Sequence, residues 1–516
     1  MRFRTLLSTL GRRATLGALA GALGLGAAAC DNDVDITDPN APSSQTFFAS
    51  AADAEAAVTA TYNTLLRLGT GQRWWAFAHD MRSDVGTSTS PWAELQAFVK
   101  LQFPSGYDFE VNRELWNHSY ELISRANLVT ANVPNIQMNA ADRGRLVGEA
   151  KFLRAMTYFN LISLYGGQIP LVLEPATPTD RPASSDSATV FAQIEKDLTD
   201  AAAAMPRQLL SASNGRATAG SAQGMLGKVQ LQQRKWQQAA ATLLPVVNGQ
   251  YGAYDLVADY ATLFRQEGNN SRESLFEVQM GNVDTCGQGL CGNNVSKMVG
   301  PCGPGYCDGL PTRWYFTQFF TDSTAAGRVD PRIDATLFYY KGDTTRVYNR
   351  TWRSWRDSTP GRRDEYRDTT RVFFKKYSEY YLASTDQNWE ATINYKVLRF
   401  ADVLLMYAEA LNEQGQPAQA APFVNRVRAR VNLRPLSAGL SQAQMRAAIL
   451  AERAKELGLE GQRWRDLGRQ NLFADLAGLR ARDPDFNTFV AGKSQLLPIP
   501  TREINLNPNI RQNPNW

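Results

Sequence analysis

Apolar positions recur at helical spacing over three long stretches of the chain. From Trp116 to Ala131, residues Trp116, Tyr120, Ile123 and Ala126 fall three or four apart, which predicts a helix ending before Pro134. From Ala140 to Leu164, residues Leu146, Ala150, Leu153, Tyr158, Leu161 and Leu164 trace one broad face. Asp142 suits the positive end of that helix, and Gly166-Gly167 stop it. The third stretch, Phe400 to Val431, predicts two helices broken at Gly415. Elsewhere the texture changes. From about Asn269 to Tyr395 the chain is rich in Gly, Tyr, Trp, Arg and Thr. Short runs such as SLFEVQM (274–280) and RVFFKKY (371–377) predict strands among loops there.

Two helix pairs echo one another. Gly227 precedes Ala239 by twelve residues, with Trp236 and Leu243 beside it; Ala408 precedes Ala420 by twelve, with Val424 following. Small residues at this offset let the two helices of a hairpin approach closely, and larger ones fill the groove, as in a tetratricopeptide-like repeat. Such repeats stack into curved scaffolds that bind other molecules.

The N-terminus decides the compartment. Arg2, Arg4, Arg12 and Arg13 precede an apolar run from Ala14 to Ala29. That run is shorter than the ~20 residues a membrane-spanning helix needs, so it reads as a signal peptide. Ala27, Ala28 and Ala29 lead into Cys30, which is similar to a bacterial lipobox whose cysteine is acylated, although Ala27 stands where Leu is usual. The acidic DNDVDITDPN that follows suits a solvated tether. The expected organisation is a lipoprotein signal peptide (1–29), a tether after acylated Cys30 (30–42), and a single domain (43–516) with a loop-rich insertion at about 269–395. Removing the signal takes four arginines from a net charge of +5, and 5 − 4 leaves +1. A near-neutral mature chain has no electrostatic footprint for nucleic acid.

Export also bears on CGQGLCGNNVSKMVGPCGPGYC (286–307). Cys286, Cys291, Cys302 and Cys307 are spaced C-x4-C twice, with ten residues between the pairs. Outside the cytoplasm thiols oxidise, so disulfides are expected in preference to zinc, with three pairings open. Catalytic signals are sparse. No HExxH, nucleophile elbow, P-loop or dinucleotide fingerprint occurs. His118 is expected to be structural, whereas His79 lies in WWAFAHDMRSD, where a ligand contact is conceivable. Glu452, Glu456 and Glu460 recur every four residues, as do Glu409 and Glu413, which aligns acids on one helix face and does not set two across a cleft. Arg453, Lys455, Arg463 and Arg465 are the expected ion-pair partners. Residues 346–376 hold ten basic and four acidic side chains among aromatics and read as a solvated strand pair, or as a contact for an acidic ligand or partner. Neither an enzyme activity nor a cofactor or metal is expected.

Six segments then resemble one family in order along the chain: EAKFLRAMTYFNLISLYGGQIPLV (149–172), RESLFEVQ (272–279), DPR (330–332), LRFADVLLMYAEALNEQG (398–415), ILAERAKELGLEGQRWRDLGR (449–469) and LLPIPTREINLNPNIRQNPNW (496–516). The family is the SusD/RagB nutrient-uptake outer-membrane lipoproteins. The resemblance implies a mainly α fold, with about four tetratricopeptide-like hairpins forming an α-superhelical scaffold beside a loop-rich part with short β-strands. It implies an outward-facing place on the outer membrane, and a SusC-like TonB-dependent transporter as partner. The implied ligand is an oligosaccharide; the alternative is a peptide-binding or purely structural lid.

Sugar recognition combines aromatic rings that stack on pyranose faces with polar side chains that bond the hydroxyls. Two regions offer that mixture. Trp74, Trp75, Asp80, Arg82 and Trp92 form one; Tyr306, Asp308, Arg313, Trp314 and Tyr315 form the other. Trp92 and Trp314 are the first choices for a sugar platform.

Overall fold

The computed structural model describes residues 47–103, 107–207, 215–281, 286, 291–358, 363–382 and 391–516. The predicted signal peptide, Cys30 and the acidic tether lie outside these. Residues 50–516 fold as one compact unit. Its helices are α1 (Ala51–Asn63), α2 (Glu110–Asn132), α3 (Ala140–Tyr165), α4 (Ser187–Ala204) and α5 (Ala219–Gln232), then α6 (Trp236–Val247), α7 (Phe400–Glu413), α8 (Pro417–Arg430), α9 (Gln442–Leu457) and the shorter α10 (Arg463–Arg469). From α1 to α8 each packs on the next, and α9 closes on α7 and α8. Among the described residues, no helix is long and apolar enough to cross a membrane.

Local chemistry accounts for the helix ends. The Asn139 side chain accepts the backbone N–H groups of Ala141 and Asp142 and so starts α3. Glu94 accepts the N–H of Glu110 and starts α2 from outside the helix. Pro417 sits in the first turn of α8, where its missing N–H costs nothing. The echo between hairpins has its expected cause. A Cβ added at Gly227 would lie 2.3 Å from Leu243 Cδ2, so α5 and α6 touch only because residue 227 has no side chain. Ala239, Ala408 and Ala420 are fully buried at the matching contacts.

The insertion between α6 and α7 holds short antiparallel pairs. Ser274–Val278 pairs with Tyr395–Arg399 against α5, and Leu337–Tyr339 pairs with Val372–Phe374. The basic, aromatic stretch 346–376 is not the solvated strand pair its composition suggests. Within it Arg346–Val347 pairs with Arg350–Thr351, while Val372–Phe374 pairs with Leu337–Tyr339 outside it. Trp352, Trp355, Tyr366 and Phe373 instead form a second hydrophobic core with Cys302, Cys307 and Leu310. Arg346, Arg353 and Arg367 are exposed, so charge and core share one segment.

Buried ion pairs tie the insertion to the last helices. Arg332 reaches Asp330 at 2.7 Å, Glu452 at 2.6 Å and Glu456 at 2.9 Å. Arg399 reaches Glu273 at 2.7 Å, Glu456 at 2.6 Å and Glu460 at 2.7 Å, while Arg430 also pairs with Glu273 and Glu456. Burial alone would push the Glu456 carboxyl upward, but Arg430, Arg399 and Arg332 outweigh it and hold it well below the usual carboxylate range. The expected local partners are displaced. Arg453 turns to Asp402 and Asp466, Lys455 to Asp322, and Arg463 to Asp84, so the pairing is between elements and not along one helix face.

Candidate functional site

The structure brings the two predicted binding regions together. Gly86–Thr87 pairs antiparallel with Leu310–Pro311. The Ser88 hydroxyl donates to the Asp308 carbonyl at 2.5 Å, and the Thr312 N–H and hydroxyl donate to the Val85 and Asp84 carbonyls. Thr312 then caps the short helix Arg313–Gln318 by accepting the Tyr315 N–H.

A disulfide-closed turn carries the exposed end of this surface. The four cysteines pair locally, Cys286 with Cys291 and Cys302 with Cys307. After the short helix Val295–Val299 the chain reverses. The N–H groups of Tyr306, Cys307 and Asp308 donate back to the carbonyls of Lys297, Gly300 and Met298. The reversal needs glycine, because a Cβ at Gly305 would lie 2.8 Å from the Gly300 backbone. The turn rests on the second core: the Tyr366 hydroxyl donates to the Cys302 carbonyl at 2.8 Å. Tyr306 projects from it 42% exposed, with the Lys297 ammonium 5.2 Å from its ring.

Beside this turn lies a charged aromatic cluster. Trp92 is half-buried, its ring centroid 5.9 Å from that of Trp74. The Trp74 indole donates to Glu114 at 2.5 Å, and the Arg73 guanidinium lies 4.8 Å from the Trp74 ring. Burial pushes the Arg73 pKa down, opposed by the charges of Glu114, Glu110 and Asp308. Burial likewise raises the Glu114 carboxyl; the Trp74 hydrogen bond opposes the rise and the Glu110 charge adds to it. Arg73, Glu110 and Glu114 were not singled out in the sequence. Glu110 and Glu114 come from the first turns of α2, outside the two regions singled out, and only the fold brings them beside Arg73 and Trp74.

Several of the predicted contact residues are interior framework instead. Trp74 and Trp75 are buried, so neither offers a ring face to a ligand. Asp80 is buried with its carboxylate accepting the Gly461 and Arg463 N–H groups at 2.8 and 2.9 Å, starting α10. Burial raises its pKa to about 6 against those two bonds. Arg82 is buried 4.4 Å from the Trp464 ring and donates to the Ser494 carbonyl; burial lowers its pKa to about 9. Tyr315 is buried against Phe319 and Phe374. His79 is also interior, its Nε2 2.8 Å from Arg465 Nη2, and His118 Nδ1 accepts the Gly69 N–H.

Trp314 is half-buried, with the Arg463 and Arg482 guanidinium groups 5.2 and 5.3 Å from its ring; both pair with Asp84. Arg313 is exposed and Asp308 largely buried. The surface that remains has Trp92 and Tyr306 as accessible rings, with Arg73, Glu110, Glu114 and Asp308 supplying polar groups. Rings with donors and acceptors of both signs can hold a hydroxyl-rich ring compound. The described residues contain no group of three or more His, Cys, Asp or Glu arranged to hold a metal ion.

Two family models cover most of this chain. Residues 37–231 match a family described as starch-binding and associating with the outer membrane, and residues 272–516 match the SusD family. A SusD-like protein, P2, of Formosa agariphila is 28% identical over 504 residues, spanning 94% of this chain and 95% of its own. A SusD-like protein of Bacteroides ovatus is 26% identical, spanning 82% of this chain and 76% of its own. A solved SusD superfamily protein from Bacteroides vulgatus superposes with a TM-score of 0.79 at 22% identity, covering 91% of this chain and 100% of the other. A laminarin-binding SusD-like protein gives 0.72 at 28% identity, with the same coverage. Fold and matches together define a carbohydrate-binding, outer-membrane-associated class. The chain belongs to the SusD family.

Proposed function

We propose that this protein captures oligosaccharides at the outer cell surface, held there by a lipid on Cys30, and hands them to a SusC-like TonB-dependent transporter. The binding surface in this reading is the rim formed by Trp92 and Tyr306, with Arg73, Glu110, Glu114 and Asp308 bonding sugar hydroxyls. Arg313 and Trp314 flank it on the adjoining helix.

One observation carries the reading. Segments 220 residues apart are pinned together at Ser88 and Asp308, which supports reading the stretch that carries half-buried Trp92 and the stapled turn that carries exposed Tyr306 as one surface. That is an elaborate way to build an inert lid, and a direct way to build a saccharide platform. Support for the ligand class comes from the starch-binding description of the family and from the laminarin-binding relative. The acids Glu452, Glu456 and Glu460 are held by buried arginines and a lysine, so they are not poised as a glycosidase pair.

Calorimetric screening of the mature protein against neutral, acidic and peptide ligands tests the class: saccharide binding is expected, and affinity for peptides alone would contradict it. Replacing Cys30 by Ser is expected to release the protein from the membrane fraction, and retention there would contradict the anchor.

A further inference from the structure

Resting on the saccharide-binding reading, we infer that the protein has a second carbohydrate site, in a cleft of about 690 Å³ between the 258–265 segment, the 328–335 loop and the end of α8. The volume is that of a small-ligand pocket. Half-buried Tyr339 and Tyr380 line it, together with exposed Val329.

The polar lining distinguishes groups already in use from groups left over. Asp330 and Arg332 pair with each other and with the buried network. The NH2 groups of Arg430 are held by Glu273 and Glu456. These form a neutral, rigid floor. Above it, Arg328 is exposed, and its guanidinium has no hydrogen-bond or ion-pair partner among the described residues; nor has the exposed Asn432 side chain. Asp259 and Asp334, both exposed, add carboxylates to the same lining, although each is also engaged locally, Asp259 with the Ala261 N–H and Thr262 hydroxyl and Asp334 with Lys341 and the Tyr339 hydroxyl; Arg265 lines the cleft too and reaches the Tyr380 hydroxyl. An anionic ligand drawn to Arg328 would meet both carboxylates. A vicinal diol suits the mixture better, because each hydroxyl can donate to a carboxylate and accept from a guanidinium or an amide. The ligand class is therefore a neutral pyranose oligosaccharide.

The cleft adjoins the helix that flanks the first site. Phe316, on the helix that carries Arg313 and Trp314, meets Tyr339 edge-on at 5.3 Å, and Phe320, 49% exposed, lies 5.0 Å from Phe316.

The test is calorimetric stoichiometry on the mature chain, using neutral trisaccharides of β-1,3- and α-1,4-linked glucose and of other linkages. Two bound trisaccharides per chain are expected, with one remaining in Tyr339→Ala and one, at the cleft, in Trp92→Ala. Arg328→Ala, which removes only an exposed side chain, is expected to weaken the second site at least five-fold without lowering the melting temperature. One trisaccharide per chain, lost in Trp92→Ala and unaffected by Arg328→Ala and Tyr339→Ala, would overturn the second site and leave the first standing. No saccharide bound by the unaltered protein would overturn both.

Discussion

The hydroxyl of Ser88 lies 2.5 Å from the carbonyl oxygen of Asp308, buried, and joins the two halves of the proposed rim. Removing it leaves a buried carbonyl without this donor, at a cost of about 1–3 kcal/mol. Ser88→Ala is expected to lower the melting temperature and also to weaken saccharide binding, although Ser88 does not touch the ligand. Thermal denaturation beside a binding isotherm checks this; a stability loss with unchanged affinity would separate the joint from the site.

Closing the short ring between Cys302 and Cys307 is worth roughly 2 kcal/mol by chain entropy alone. The larger consequence is positional, because Tyr306 sits inside that ring. The double variant Cys302→Ser/Cys307→Ser is expected to lose affinity, whereas Cys286→Ser/Cys291→Ser, which opens the other ring, is expected to keep it. Titration of the unaltered protein under denaturing, non-reducing conditions should find none of these four thiols free.

The Arg399 cluster should behave as a buried network. Taking away Arg399 leaves Glu273, Glu456 and Glu460 each short of one cation in the interior, with Arg430, Arg332 and Lys376 as their remaining partners. Losing one partner of a buried pair costs about 3–5 kcal/mol, so Arg399→Ala is expected to unfold at markedly lower denaturant concentration. A shift under 1 kcal/mol would show that the charges relax into solvent.

Asp483 supplies a pH signature. Burial raises its pKa from the usual carboxylate range to about 7, with Asp485 and Asp84 adding to the rise and the Asp485 N–H opposing it. A carboxyl whose folded pKa is raised contributes stability in its neutral form. That contribution is present below about pH 4 and is lost as pH rises to about 7. Asp322 works the other way: burial is outweighed by Arg428 and Lys455, its pKa falls to about 2, and its contribution is lost on acidification below about pH 4. Asp483→Asn is therefore expected to raise the melting temperature at pH 8 and to leave it unchanged at pH 4. An equal effect at both pH values would contradict the assignment.

What the sequence revealed follows the reach of its signals. The α7–α8 hairpin and the close Gly227–Leu243 contact were legible because periodicity and small-residue spacing act over a dozen residues. The two candidate regions stood out because aromatic and polar residues cluster locally in each, and the fold pairs the segments next to them. Their internal roles were not. Trp74 and Trp92 are chemically alike, and only the fold decides that one ring is covered and the other partly open. Arg332 and Glu456 lie 124 residues apart, so no local spacing foretells their bond. The stretch 346–376 misleads for a related reason: Trp352, Trp355, Tyr366 and Phe373 turn to a core while Arg346, Arg353 and Arg367 are exposed, and composition averages the two.

The central claim is that Trp92 and Tyr306 form a saccharide platform, and isothermal titration of the unaltered protein, Trp92→Ala and Tyr306→Ala with neutral oligosaccharides tests it most directly. Loss of one stacking ring is expected to weaken binding on the order of ten-fold in each variant, with melting temperature little changed for the exposed Tyr306. Affinity for the same saccharide that survives both replacements undiminished would contradict the account.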